Sequence, residues 1–332
     1  MAADTTSLAL RIAPVVEGTL TVARWRNTSF LSRLRDACIR AGAPDPDVMG
    51  RAGDDFRWLI ERGNGNTSVS QFVEGEGAPN AGEQTYAQGV LNYLNFWGTA
   101  QISRIALEAL QGSDYLQGPE FAEEQLKGEV PGLIADLLHL MNTVFLGSTT
   151  NGILAMCDDG VNIPNYAGYS RITLADLAGA GINAAGALAN ADFSDLREQM
   201  ADDPRGQEAD FYLGPENQYT NMWRISGSRE STASDIRYMA ETLANGANPI
   251  DAGLGLSAQG FNSRPFYGIP GFNDSSIVGV VARHVKIVNK RPLRLDPQTA
   301  NGDIAARVLA STRATPVYLS TRHAGRIYAL TA

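Results

Sequence analysis

The chain has 332 residues, 44% of them hydrophobic and 19% charged, and carries a formal net charge of −9 at pH 7. At about 100–200 residues per domain, this length gives two domains or one core with large extensions, and the composition excludes a disordered chain. The acidic balance argues against a protein that grips phosphates through a basic surface, and no apolar run approaches the roughly 20 residues that a transmembrane helix needs.

The opening residues, MAADTTSLALRIAP, lack a basic segment leading into an apolar one, so folding in the cytosol is expected. They lead through a β-like LALRIAPVV to an amphipathic helix on Phe30, Leu31, Leu34, Cys38 and Ile39, which Gly42, Pro44 and Pro46 terminate. Residues 1–62 hold too few apolar side chains to close a core, so they read as an arm that lies on something else. Residues 63–89 contain six glycines, no lysine or arginine, and no helical periodicity. VSQFV and EQTYAQ are expected to pair as a two-stranded ribbon with EGEGAPNAG at its tip, resting on a partner. VLNYLNFWG then supplies four apolar anchors, Leu91, Leu94, Phe96 and Trp97.

The strongest signal is the helix from Gly132 to Leu146. Ile134, Leu137, Leu138, Met141, Val144 and Phe145 recur at three- and four-residue spacing, and Leu133 and Leu140 widen the stripe, which predicts burial on more than one side. Pro131 is placed in its first turn and Gly147 at a left-handed cap, with a kink at Gly128 and Pro131 separating an acidic helical segment that starts at Pro119. NYAGYSR reads as a turn into ITLADLAGAGINAAGALANA, an alanine- and glycine-rich helix, and STASDIRYMAETLANG as a second helix with Ser231 or Thr232 near its N-cap. DFYLG, NMWRIS, SSIVGVV, VKIV, AARVLAS, TPVYLST and GRIYALT are expected as strands, and GLGLSAQGFNSRPFYGIPGFND as loop.

No catalytic constellation emerges. His139, His284 and His323 have no second histidine at metal spacing, and neither a GxSxG elbow nor a P-loop occurs. Two GxGxxA matches, Gly179-Gly181-Ala184 and Gly253-Gly255-Ala258, fall in a predicted helix and a predicted loop, which is the wrong context for a dinucleotide site. The adjacent pairs Asp54/Asp55, Asp158/Asp159 and Asp202/Asp203 read as solvated turn residues. Cys38 and Cys157 are too few for a disulfide framework or a cysteine metal site and are expected as buried small hydrophobes. The lysines are Lys127, Lys286 and Lys290 alone. All other cations are arginines, whose planar fork suits interface ion pairs.

The order of parts carries the functional reading. An arm, a glycine-rich ribbon, a buried helix followed by Gly152-Ile153-Leu154, Tyr166-Ala167-Gly168-Tyr169-Ser170-Arg171 opening an α/β region, the loop Pro265-Phe266-Tyr267-Gly268-Ile269-Pro270-Gly271-Phe272 and terminal strands together resemble the tailed-phage major capsid protein family. The resemblance implies an α+β, Hong Kong 97-type shell fold. It implies an N-terminal arm (1–62), an extended loop (63–97), a peripheral domain with a long spine helix (98–160 and 285–332) and an axial α/β domain (161–284). It further implies a structural, non-enzymatic subunit without catalytic, cofactor or metal residues, assembling with itself into hexamers and pentamers of an icosahedral virion shell around double-stranded DNA. Scaffold, portal and decoration proteins are the other expected partners, with no membrane and no sequence-specific DNA contact, and assembly in the host cytoplasm. No scaffold-like segment is read ahead of the arm, so scaffolding is expected from a separate protein. The family's founding member cross-links through a lysine on its extended loop, and residues 63–97 contain none. An encapsulin-like compartment shell and an α/β enzyme with a lid at 63–89 are the rival readings.

Overall fold

A computed structural model describes residues 29–50, 53–62, 85–103, 118–149, 151–201, 206–218, 260–261, 264–272, 275–298 and 304–331. VSQFV, the ribbon tip, NMWRIS, the helix read at 231–246, Gly253-Gly255-Ala258 and Asp202/Asp203 lie outside those residues. The central feature is helix α2, Gly118–Leu146, which lies against a four-stranded sheet. It follows helix α1 (Ser29–Arg40) and strands β1 (Asp47–Met49), β2 (Asp55–Arg62), β3 (Thr85–Asn92) and β4 (Leu94–Ser103). The two expected helical segments are one continuous helix with Pro131 inside it, on the exposed side where water can replace the lost backbone bond. Val130, Ile134, Leu137, Leu138, Met141 and Phe145 are buried, whereas His139 and Leu140 face solvent, so burial is confined to one broad side. Gly147 does not take a left-handed cap; the helix ends instead on its N–H bonded to Val144 O at 3.2 Å. Residues Glu129–Leu146, with mean hydropathy 1.2, are long and apolar enough to cross a membrane, contrary to the reading of the sequence; here their apolar side is the core of the fold.

Helix α1 does not wait for another molecule. Phe30, Leu31, Leu34 and Cys38 belong to the main core, while Ile39, expected among them, is 50% exposed. The first turn of any helix has N–H groups without intrahelical partners. One of these, on Phe30, donates to Asn142 Oδ1 of α2 at 3.2 Å, which accounts for a buried asparagine in an apolar stripe.

The sheet under α2 has the order β1-β12-β13-β4, with β12 at Val285–Gln298 and β13 at Ile304–Tyr318. AARVLAS and TPVYLST are therefore one strand, and VKIV is the start of a much longer one. Pro292 and Pro297 are tolerated in β12 because β1 covers only Ile287–Asn289, and among the described residues the rest of that edge carries no ladder to break.

A six-stranded sheet, ordered β7-β14-β11-β8-β10-β9, follows from the remaining strands: β7 Ala180–Gly186, β8 Phe211–Gly214, β9 Gly260–Phe261, β10 Arg264–Gly268, β11 Ile277–Val280 and β14 Gly325–Leu330. The alanine- and glycine-rich stretch read as a helix is β7, parallel to β14. Helix α4, Asn190–Ala201, begins only at the end of that stretch and packs its Phe193, Leu196 and Met200 on this sheet. The expected loop around Pro265 is partly strand. GRIYALT was expected with the peripheral part at 285–332, but it pairs between β7 and β11, in the sheet built from the expected axial residues.

Candidate assembly interface

The described end of the expected ribbon belongs to a hairpin displaced along the chain. Thr85–Gln88 pair with Leu59–Arg62, in the stretch assigned to the arm, and the β2–β3 ladder runs from Asp55↔Asn92 to Arg62↔Thr85. One face is anchored in the main core by Ile60, Ala87 and Leu91. Trp58 stacks on Phe56 at 5.5 Å and donates its indole N–H to Leu319 O at 2.9 Å. Opposite Trp58 only glycine fits, since a Cβ on Gly89 would lie 2.5 Å from the ring. The docking point is the tight hairpin of β5 (Asn165–Tyr166) and β6 (Tyr169–Ser170), whose central residues Ala167 and Gly168 have φ of 50° and 83°. Both positive angles are those of a type I′ turn. Ala167 O there accepts Val90 N–H at 2.8 Å. The opposite face of β2–β3 presents Leu59 and Tyr86, 69% and 54% exposed, on adjacent strands. Trp97, read as a core anchor, is 67% exposed on edge strand β4. Exposed apolar side chains of this size mark interaction surfaces more readily than chemistry.

The chemistry-bearing residues are accounted for by structure. Gly179 and Gly181 lie beside Asp158 and Asp159: a Cβ on Gly179 would meet Ala324 O at 2.9 Å, and one on Gly181 would overlap the Asp159 carboxylate. Gly179 admits neighbouring backbone and Gly181 a neighbouring carboxylate, and no pyrophosphate is needed to explain them. Asp158 is not a solvated turn residue. Fully buried after the short helix α3 (Ile153–Met156), it accepts Arg326 Nη1 at 2.6 Å and the N–H groups of Gly160 and Ile163 at 2.9 Å. Burial raises the pKa of its neighbour Asp159. Asp54 is the solvated member of its pair but bridges Lys290 and Arg313, whose hydrogen bonds hold its carboxyl below the usual range. Buried Arg171 donates to Ala155 O at 2.5 Å and Met156 O at 3.1 Å, closing the end of α3.

Cys38 and Cys157 are free and buried, as expected, and burial pushes both thiols up to about 12. His284 and His323, unrelated by sequence spacing, stack with ring centroids 4.7 Å apart. Burial, His323 and the nearby cations Arg283 and Lys286 drive His284 down to about 3. Among the described residues no group of three or more His, Cys, Asp or Glu could share a metal ion. An open cavity of about 530 Å³ lies between Ser148, Asn162 and Arg326, but the Arg326 guanidinium is already engaged by Asp158 and Ser276.

The chain is similar to one from the capsid of cyanophage A-1(L), with a TM-score of 0.61 and 12% identity over 86% of this chain and 90% of that one. This is a phage-capsid fold. A capsid chain of cyanophage P-SCSP1u (TM-score 0.53, 13% identity, 86% of each chain) and a chain of Mycobacterium phage Bobi (0.53, 10%, 89% and 90%) share it. No protein-family model matches the sequence, and no curated protein matches it. In this phage-capsid fold the sequence reading missed the exposed side of β2–β3 and the outward Trp97. The available signal was alternation: Arg57, Leu59 and Tyr86, Gln88 fall on one face once the register is known.

Proposed function

We propose that the chain is the major capsid protein of a tailed phage, a structural subunit that self-assembles into hexamers and pentamers of an icosahedral shell around packaged double-stranded DNA. The observation that carries this reading is the likeness of fold to the cyanophage A-1(L) capsid chain across 86% of this chain. The hairpin face with Leu59 and Tyr86 and the edge strand with Trp97 support it, because unlike surfaces meeting head to tail close into rings.

On this reading α2 is the spine of a Hong Kong 97-type peripheral domain. The extended loop is rooted at Asp55, within the arm as first bounded, and the axial domain takes Gly325–Leu330 in addition to residues 161–284. No catalytic, cofactor or metal residue is assigned. Scaffold, portal and decoration proteins are the remaining partners, DNA is enclosed without sequence-specific contact, and the subunit ends in the virion after assembly in the host cytoplasm. Negative-stain microscopy of the expressed chain, alone and with its scaffold protein, tests the proposal. Closed particles or capsomer rings are expected, and a monomer under every condition would sink it.

A further inference from the structure

One antiparallel pair of strands runs through both large sheets. In the four-stranded sheet it is β12–β13, which ends at Val285↔Tyr318; in the six-stranded sheet it is β11–β14, which begins at Gly279↔Gly325. Between the two, each strand breaks into one turn of 3-10 helix, Ala282–His284 on one and Thr321–His323 on the other. The turns are fastened to each other. Tyr318 Oη accepts Val281 N–H at 2.9 Å and donates to His323 O at 3.0 Å, and Leu319 N–H donates to His284 O at 2.8 Å. The His284 and His323 rings stack across the joint, 4.7 Å apart and 12° from parallel, with the Tyr318 ring 6.1 Å from His284.

The surroundings of His284 accept no added positive charge. Burial opposes its protonation, and so do His323 opposite, Arg283 on its own turn and Lys286 on β12; among the described residues no carboxylate offsets them. Arg283 Nε donates to His284 Nε2 at 3.3 Å, a bond that a protonated Nε2 cannot accept. The nearest acidic groups are committed elsewhere. Asp210 Oδ2 accepts Ala282 N–H at 2.9 Å, Asp45 pairs with Arg35, and both carboxylates act on the Cys38 thiol of α1, which lies 3.9 Å from Ala282 O. Burial keeps the Tyr318 hydroxyl protonated, well above its ordinary value, and Arg322 stands next to His323 in the second turn. A charge withdrawn from water without a counter-charge is costly, and an imidazolium formed at this stack regains water only if the two turns part.

We infer that the paired turns are an acid-sensitive hinge: protonation of His284 parts them and uncouples the two sheets while the strands of each sheet stay formed. The hinge lies within one subunit and needs no shell. His284 titrates at about 3 in the closed joint and at 6.5 once released, so opening takes up a proton between those limits and grows as the pH falls. Site-resolved hydrogen exchange on the full-length chain, corrected for intrinsic rates, reads this directly. Protection of the His284, Leu319 and His323 amides, all bonded within the joint, should fall about tenfold per pH unit from about pH 6 to 4. Protection of Val278 and Thr312, on inner strands of the two sheets, should fall far less. His284→Gln should flatten the slope at the joint. Tyr318→Phe, which keeps the imidazole and removes the bridging hydroxyl, should lower joint protection at pH 7 and keep the slope. Equal loss at the strand amides means global unfolding and overturns the hinge. So does pH-independent protection at both turns, or an unchanged slope in His284→Gln. Localisation is read on the native chain alone, so a variant that fails to fold leaves it decidable.

Discussion

Asp158 and Arg326 meet at 2.6 Å with the carboxylate wholly withdrawn from water and the guanidinium 10% exposed, and they join the segment after α3 to strand β14. Two N–H groups and the Ser276 hydroxyl complete the surroundings of the pair. Removing one partner strands a buried charge, so Asp158→Ala or Arg326→Ala alone should cost about 3–5 kcal/mol. The double variant should cost clearly less than the sum in urea unfolding, and additive losses would show that the two do not act as a pair.

Leu138 and Leu140 sit two residues apart on α2 with opposite fates, fully buried and half exposed. Leu138→Asp should give insoluble or unfolded protein, because an unpaired carboxylate in the core costs several kcal/mol. Leu140→Asp should stay within about 0.5 kcal/mol of the parent. Comparable soluble yields and melting temperatures for the two would mean that the helix is not seated as described.

His284 should make stability fall as the solution is acidified. Its pKa drops from 6.5 unfolded to about 3 folded through burial, His323, Arg283 and Lys286, so the unfolded chain binds the extra proton. The contribution is complete above pH 6.5 and is lost progressively between there and about 3. The difference in urea midpoint between pH 7 and pH 4.5 should shrink in His284→Gln; an unchanged difference would assign the acid sensitivity elsewhere.

Deleting residues 74–82 should separate folding from assembly. The deleted stretch holds no large apolar side chain, and the core contacts of the hairpin come from Ile60, Ala87 and Leu91 at its root. The subunit should unfold within a few degrees of the parent while particle yield collapses. Equal loss of both would place the tip in the subunit's own core.

Boiled, reduced particles should run as a single band near 35.5 kDa. An isopeptide bond needs a lysine amine at the carbonyl of a neighbour with a carboxylate to move protons. The loop has no lysine, and Lys290 is engaged with Asp54 and the Gly53 carbonyl of its own subunit. A ladder of multimers would refute this.

What the sequence disclosed was local. The α1 stripe, the apolar side of α2 and the β-branched cores of β11 and β12 follow from periodicity and composition, because each pattern is satisfied within a dozen residues. What it withheld depends on partners far along the chain. Ala180–Gly186 reads as a helix because alanine favours one. Its strand pairing with Gly325–Leu330 is invisible until the fold is closed. Asp158 looks like a turn residue until Arg326 is found beside it. Trp97 looks like a core anchor until Gly98 shows which way the strand faces. Hairpin register was misjudged for a related reason: the glycine-rich tip says where the chain turns and nothing about how far the ladder descends.

The parallel pairing of β7 with β14 sets a timetable for synthesis. Among the described residues strand β7 has no other strand beside it in the sheet, so its pairing waits until residues 325–330 have been translated. At roughly 5–20 residues per second, that wait is on the order of ten seconds. A valine-rich strand left single for so long would invite aggregation with its counterparts on the same polysome, whereas Ala-Gly-Ile-Asn-Ala-Ala-Gly offers them almost nothing to hold.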